Sequence, residues 1–225
     1  MSSPMSLIAR IFAIAALLAA PAHAHEPGAW SLAIHGGAGT LLRENMSAEQ
    51  EADYRAALQQ ALDAGAQVLR DGGSAMDAVE AVIVLLEDDP KFNAGRGAVF
   101  TWDGRNELDA SFMEGRTRAA GAIAGVTTVR HPIRLARKVM EDGRHVFLSG
   151  AGAEQFAGEN GLELVAPEWF ATEHRRRQLE AMKAQNLSAL DIEFKFGTVG
   201  AVAVDQTGMR RWWNTRRSRV GRISR

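Results

Sequence analysis

Cysteine is absent from the 225 residues, which excludes disulfides, thiolate nucleophiles and cysteine-ligated zinc together and leaves the redox compartment open. A covalent catalyst in this chain is therefore an oxygen nucleophile or a lysine. Long apolar runs are missing too: the stretch Ile11 to Ala20 falls short of the ~20 residues that a bilayer span needs. Acid is absent from residues 209 to 225, which hold seven arginines. All 27 acidic side chains lie between His25 and Gly208, against 18 basic ones there, a net charge of -9. Such an acidic body argues against general nucleic-acid binding. Neither Gly150-Ala151-Gly152 nor Gly95-Arg96-Gly97 completes the six-position dinucleotide fingerprint, and there is no P-loop lysine motif.

What is present begins with an export pattern. Arg10 precedes the apolar run, and Pro21-Ala22-His23-Ala24 ends in a small-x-small sequence suited to signal peptidase. Residues 1 to 24 read as a secretory signal, so the expected location is periplasmic or secreted, with no membrane attachment once the signal is removed. At 46% hydrophobic residues the remainder has the size and composition of one globular domain.

Along that domain Trp30 to Ile34 alternates like a strand and breaks at His35-Gly36-Gly37-Ala38-Gly39. Ser47 with Gln50 forms a capping-box signal ahead of an apolar stripe from Tyr54 to Leu69. After Asp71-Gly72-Gly73, Ser74 with Asp77 signals a second N-cap, and Ala75 to Leu86 is apolar nearly all round, as in a helix buried between layers. Pro90 ends that helix and Asn93 to Gly97 forms a second glycine loop. Ala98 to Trp102 then reads as a strand turning at Asp103-Gly104 into Glu107 to Met113. Gly121 to Val129 is a further strand, Pro132 to Asp142 a helix, His145 to Leu148 a strand, and a helix follows from about Ala153. Thr172 to Asn186 is expected to be a long exposed helix, with a linker up to Glu193. Phe196 to Asp205 is an apolar strand ending in the turn Gln206-Thr207-Gly208. The order points to layered α/β architecture rather than regular βαβ alternation.

Four blocks carry a resemblance: Ala33-Ile34-His35-Gly36-Gly37-Ala38-Gly39, Asp71 to Val79, Phe92-Asn93-Ala94-Gly95-Arg96-Gly97-Ala98-Val99-Phe100-Thr101, and Gly197-Thr198-Val199-Gly200-Ala201-Val202-Ala203. In this order they resemble the isoaspartyl peptidase and plant-type asparaginase family of threonine N-terminal-nucleophile hydrolases. The resemblance implies an αββα sandwich whose precursor cleaves itself between Gly197 and Thr198, giving a first subunit of residues 25–197 and a second beginning at 198–208. It makes Thr198 the nucleophile, acting on L-asparagine or β-aspartyl dipeptides without a catalytic cofactor. A glycine before the threonine is physically apt, since it tolerates strained backbone and presents an unhindered carbonyl. Outside this block a threonine in such a run would be an ordinary strand residue.

Gly36 and Gly37 are expected to support the cleavage region by close backbone approach. Asn93 either hydrogen-bonds Thr198 or substrate, or caps its own loop. His35 reads as a satisfied core histidine and is given no chemistry. The family's structural sodium, held by backbone carbonyls, maps to Leu86, Glu87, Asp89, Phe92, Ala94 and Arg96, although Glu87 to Asp89 also reads as a solvated acidic turn. The family implies a dimer of processed αβ pairs. Beyond Gly208 its Thr-Ser-Thr-Gly-Gly and Arg-x-Gly-Asp segments are not matched, and Arg222 stands where the aspartate is expected after Arg219-Val220-Gly221. Residues 209–225 are thus read as an aberrant basic tail from a frameshift or premature stop, no substrate-binding residue is assigned, and the chain as it stands is expected to be inactive. A noncatalytic interaction protein and a glycosylasparaginase-like hydrolase are the alternatives.

Overall fold

A computed structural model describes residues 29–37, 46–185 and 198–207, together with the backbone of 210–214. The signal segment 1–24, the linker after Gln185, Gly197 and the tail beyond Asn214 lie outside the described residues.

Strand β1 (Ser31–His35) leads to helix α1 (Ala48–Arg70) and then helix α2 (Ala75–Asp88). Both helices start as their caps dictate. The Ser47 hydroxyl accepts the Gln50 amide at 3.1 Å while the Gln50 side chain accepts the Ser47 amide at 2.9 Å, and the Ser74 hydroxyl accepts the Asp77 amide at 3.2 Å. A hairpin of β2 (Leu108–Glu114) and β3 (Ala120–Val126) follows, then helix α3 (Pro132–Asp142), β4 (Phe147–Ser149) and α4 (Gly150–Glu159). Pro132 occupies the first turn of α3, and Gly143 closes it in the left-handed conformation at φ 72°. The remaining elements are α5 (Glu173–Ala184), β5 (Gly200–Val204) and β6 (Arg210–Asn214).

The six strands form one sheet in the order β1-β5-β6-β2-β3-β4. All neighbours are antiparallel except β3 and β4, which are parallel and joined through α3. β6 lies between β5 and β2, so the first residues of the segment read as an aberrant tail form an inner strand that joins the two halves of the sheet.

Leu32, Ile34, Ala201, Ala203, Ala110, Phe112 and Ile123 face the helices, which pack their buried stripes, Val79, Val82, Ile83 and Leu86 of α2 and Ile133 and Val139 of α3, against them. Two glycines allow close packing. A Cβ on Gly65 of α1 would lie 2.5 Å from Val82 Cγ2, and one on Gly121 of β3 would lie 2.2 Å from the Ala136 carbonyl of α3. On the other face, Ser31, Ala33 and His35 are exposed. Among the described residues no helix is long and apolar enough to cross a membrane.

Two expectations need correcting. Ala98 to Trp102 is not a strand: the Val99 amide goes to the Asn93 side chain, and the Ala98 and Val99 carbonyls are taken by Asn106 Nδ2, which leaves no ladder for a partner strand. The turn itself is present, with Gly104 at φ 81° and the Thr101 amide bonded to the Arg105 carbonyl at 2.7 Å. Helix α5 is not simply exposed, because Arg175, Leu179 and Met182 bury one of its faces.

Candidate active site

Thr198 sits half-buried two residues ahead of β5, and the next residue, Val199, is fully buried. The register pairs His35 with Gly200, so the glycine loop leaving β1 begins beside the backbone that carries Thr198. His35 Nδ1 lies 3.0 Å from the Thr198 carbonyl oxygen and 3.2 Å from the Gly37 amide nitrogen. His35 is accordingly an exposed, hydrogen-bonded residue at the end of an edge strand, not a core histidine. Gly37 holds φ 115°, which a side chain would strain.

Gly36 brings the first loop to the second. A Cβ there would lie 2.9 Å from Leu58 Cδ2 and 3.2 Å from Phe92 Cε1. Phe92 is buried with its ring edge-on to Tyr54 at 5.8 Å, and the Tyr54 hydroxyl donates to the Lys91 carbonyl. Asn93 follows directly, and its Oδ1 accepts the Val99 amide at 3.0 Å. The loop-capping role is therefore real. Arg175 supports the same loop from α5 by donating from Nε to the Gly97 carbonyl at 2.7 Å. Burial holds its guanidinium below the ordinary arginine value. The sequence signal for Arg175 was hidden in the polar run Glu173 to Arg177, where a single buried position does not stand out.

The positions that the resemblance gives to a sodium ion run from the last turn of α2 through the loop after it. Leu86, Glu87, Phe92 and Ala94 are buried there, Asp89 is half-buried and Arg96 is exposed. A Cβ on Gly95 would lie 2.2 Å from the Glu87 carbonyl, and one on Gly97 would lie 2.0 Å from the Phe92 carbonyl and 2.6 Å from that of Pro90. Backbone oxygens thus crowd two glycines, the kind of donor that suits a hard monovalent cation. Among the described residues no group of three or more His, Asp or Glu side chains is placed to hold a metal. Glu87 is not part of a solvated turn: its Oε1 accepts the Ile133 amide at 3.1 Å, and its Oε2 is buried without a partner. Burial pushes this carboxyl well above the usual range.

Asp205, which reads in sequence as the last residue of the apolar strand, lies just past β5 and anchors its far end. Its Oδ2 accepts the Ala75 amide at 3.0 Å, and its Oδ1 accepts the Thr207 amide at 3.0 Å. All four motif blocks therefore meet around one strand: the first glycine loop and the Asn93 loop near its head, and the start of α2 at its tail.

A family model described as Asparaginase matches residues 28–210. The isoaspartyl peptidase of Salmonella typhimurium is 49% identical over 184 residues, covering 79% of this chain and 59% of that protein. That of Escherichia coli is 47% identical over 184 residues, covering 79% and 57%. The isoaspartyl peptidase/L-asparaginase of Homo sapiens is 42% identical over 174 residues, covering 77% and 55%. The chain spans less than two thirds of the length of these curated relatives. With the match extending over most of its own residues and across all four motif blocks, the chain belongs to the asparaginase family of N-terminal-nucleophile hydrolases.

Proposed function

We propose that this chain carries the nucleophile-bearing part of a self-cleaving amidohydrolase that acts on L-asparagine and β-aspartyl dipeptides. The observation that carries the reading is the position of Thr198, half-buried at the head of an inner strand with the His35-Gly36-Gly37 loop against its peptide. The likeness to isoaspartyl peptidases runs through this region and supports the substrate class.

In the first step the Thr198 hydroxyl attacks the Gly197 carbonyl carbon. The carbon-nitrogen bond breaks, the proton passes to the departing amine, and an ester links Gly197 to Thr198. Water then cleaves the ester, giving a Gly197 carboxylate and a Thr198 with free hydroxyl and α-amine. That amine has an ordinary pKa of ~7.7 to 8.0, which lets it serve as the general base for its own hydroxyl in substrate hydrolysis. Asn93 would be the supporting polar group by family likeness, with its Oδ1 engaged by the Val99 amide.

The sheet face bearing Ser31, Ala33 and His35 is where a second sheet would complete an αββα sandwich. A sodium ion would be held by backbone carbonyls between Leu86 and Arg96, where it would set the loop's shape and take no part in the chemistry. The signal-like segment supports export to the periplasm, and assembly would be a dimer of processed pairs.

Intact mass of the purified chain tests the reading, with the Thr198→Ala variant as control. Cleavage between Gly197 and Thr198 in the parent alone supports it. An uncut parent after prolonged incubation, together with no release of aspartate from L-asparagine or a β-aspartyl dipeptide, would favour a noncatalytic role.

A further inference from the structure

His35 faces two groups with one atom. Its Nδ1 is 3.0 Å from the Thr198 carbonyl oxygen and 3.2 Å from the Gly37 amide nitrogen. A carbonyl needs a donor and an amide needs an acceptor, so the two contacts exclude each other. With its proton on Nδ1 the imidazole donates to Thr198; with its proton on Nε2 it accepts from Gly37.

We propose that His35 is a positioning residue for the nucleophile, present as the Nδ1–H tautomer and donating to the Thr198 carbonyl; this rests on the reading of Thr198 as the nucleophile. The ladder between β1 and β5 ends at the pair His35 and Gly200. Thr198 therefore lies two residues past the last paired position. After self-cleavage it would also be a chain end, and chain ends fray unless they are tied down. The residue that supplies both hydroxyl and amine must hold still, since a displacement of ~1 Å can cost about a hundredfold in rate. A donor from His35 fixes the carbonyl side of Thr198 and leaves the hydroxyl and amine free to react.

Three variants separate this role from simple packing. His35→Asn keeps an N–H attached to Cγ, near the place of Nδ1. His35→Gln extends its amide toward the place of Nε2, and His35→Phe keeps a ring without a donor. Because His35 is exposed among the described residues, at the end of an edge strand, none of them removes packing seen in this structure. The rate at which the fragment beginning at Thr198 appears is expected to stay within about threefold for His35→Asn and to fall about tenfold or more for the other two. Equal rates for His35→Phe and the parent, or equal losses in all three, would overturn the proposal.

The tautomer is read separately, from imidazole nitrogen-15 shifts of the full chain carrying Thr198→Ala, which keeps the carbonyl and cannot self-cleave. A proton on Nδ1 supports the assignment and a proton on Nε2 refutes it. If the parent chain shows no cleavage, the reading of its function fails, and the tautomer alone decides whether His35 holds Thr198.

Discussion

Asp205 accepts the amide of Ala75 at 3.0 Å, joining the residue after β5 to the first residue of α2 across 130 positions of sequence. Gln206 adds a second tie by donating to the Leu69 carbonyl at the end of α1. The carboxylate meets an unpaired amide at the positive end of a helix, where negative charge is favoured. Asp205→Ala should lower the unfolding free energy by about 2 to 3 kcal/mol, with a smaller loss for Asp205→Asn, as measured by urea titration. An unchanged midpoint would show that β5 is held by its neighbours in the sheet without this anchor.

Gly97 and Gly36 are both close-approach glycines, yet they should respond differently to alanine. At Gly97 the added methyl would meet backbone oxygens of Phe92 and Pro90, which cannot yield without unwinding the turn. At Gly36 it would meet the ends of the Leu58 and Phe92 side chains. Gly97→Ala should cost about 3 kcal/mol and Gly36→Ala under about 1.5 kcal/mol in thermal or chemical unfolding. Equal losses would mean that the first loop is as rigid as the second.

Glu154 gives a pH test of stability. Burial raises its carboxyl pKa, but the amides of Thr127 and Thr128 and the Thr127 hydroxyl, all bonded to Oε1, outweigh this and hold it below its usual value of 4.5. A lowered folded-state value means that the contribution is present above the unfolded pKa and lost as pH falls through the folded one. Glu154→Gln should therefore be less stable than the parent at pH 7, by at most about 1 kcal/mol for a carboxylate this open to solvent, with the difference shrinking as the pH falls below 4.5. A gap that stays constant with pH would point to packing rather than charge.

For the self-cleavage chemistry, Thr198→Ala should yield no fragment, while Thr198→Ser should yield the same fragment at a reduced rate because the hydroxyl is kept and the methyl that restrains its rotamer is lost. Mass spectrometry of the two variants after equal incubation reads the outcome. A Thr198→Ala protein that still breaks at this peptide would assign the cut to another nucleophile or to a contaminating protease.

Local signals carried far in this chain. The caps at Ser47 and Ser74, the proline at the start of α3 and the glycine at its end are short-range chemistry, and each element begins or stops where that chemistry places it. The four motif blocks were likewise legible as residue strings, and with them the family. Strand composition misleads where side chains compete for the backbone. Ala98 to Trp102 has strand composition, but Asn93 and Asn106 take its hydrogen-bonding groups, and that competition is visible only when the loop is folded.

Tertiary structure alone decided what depends on neighbours distant in sequence: the pairing of β1 with β5 that sets His35 beside Thr198, the place of Arg210–Asn214 between β5 and β2, and the burial of Arg175 and Glu87. The reason is physical. Periodicity and capping report interactions within about four residues, whereas strand order and the burial of a charge are set by which surfaces meet when the chain closes on itself.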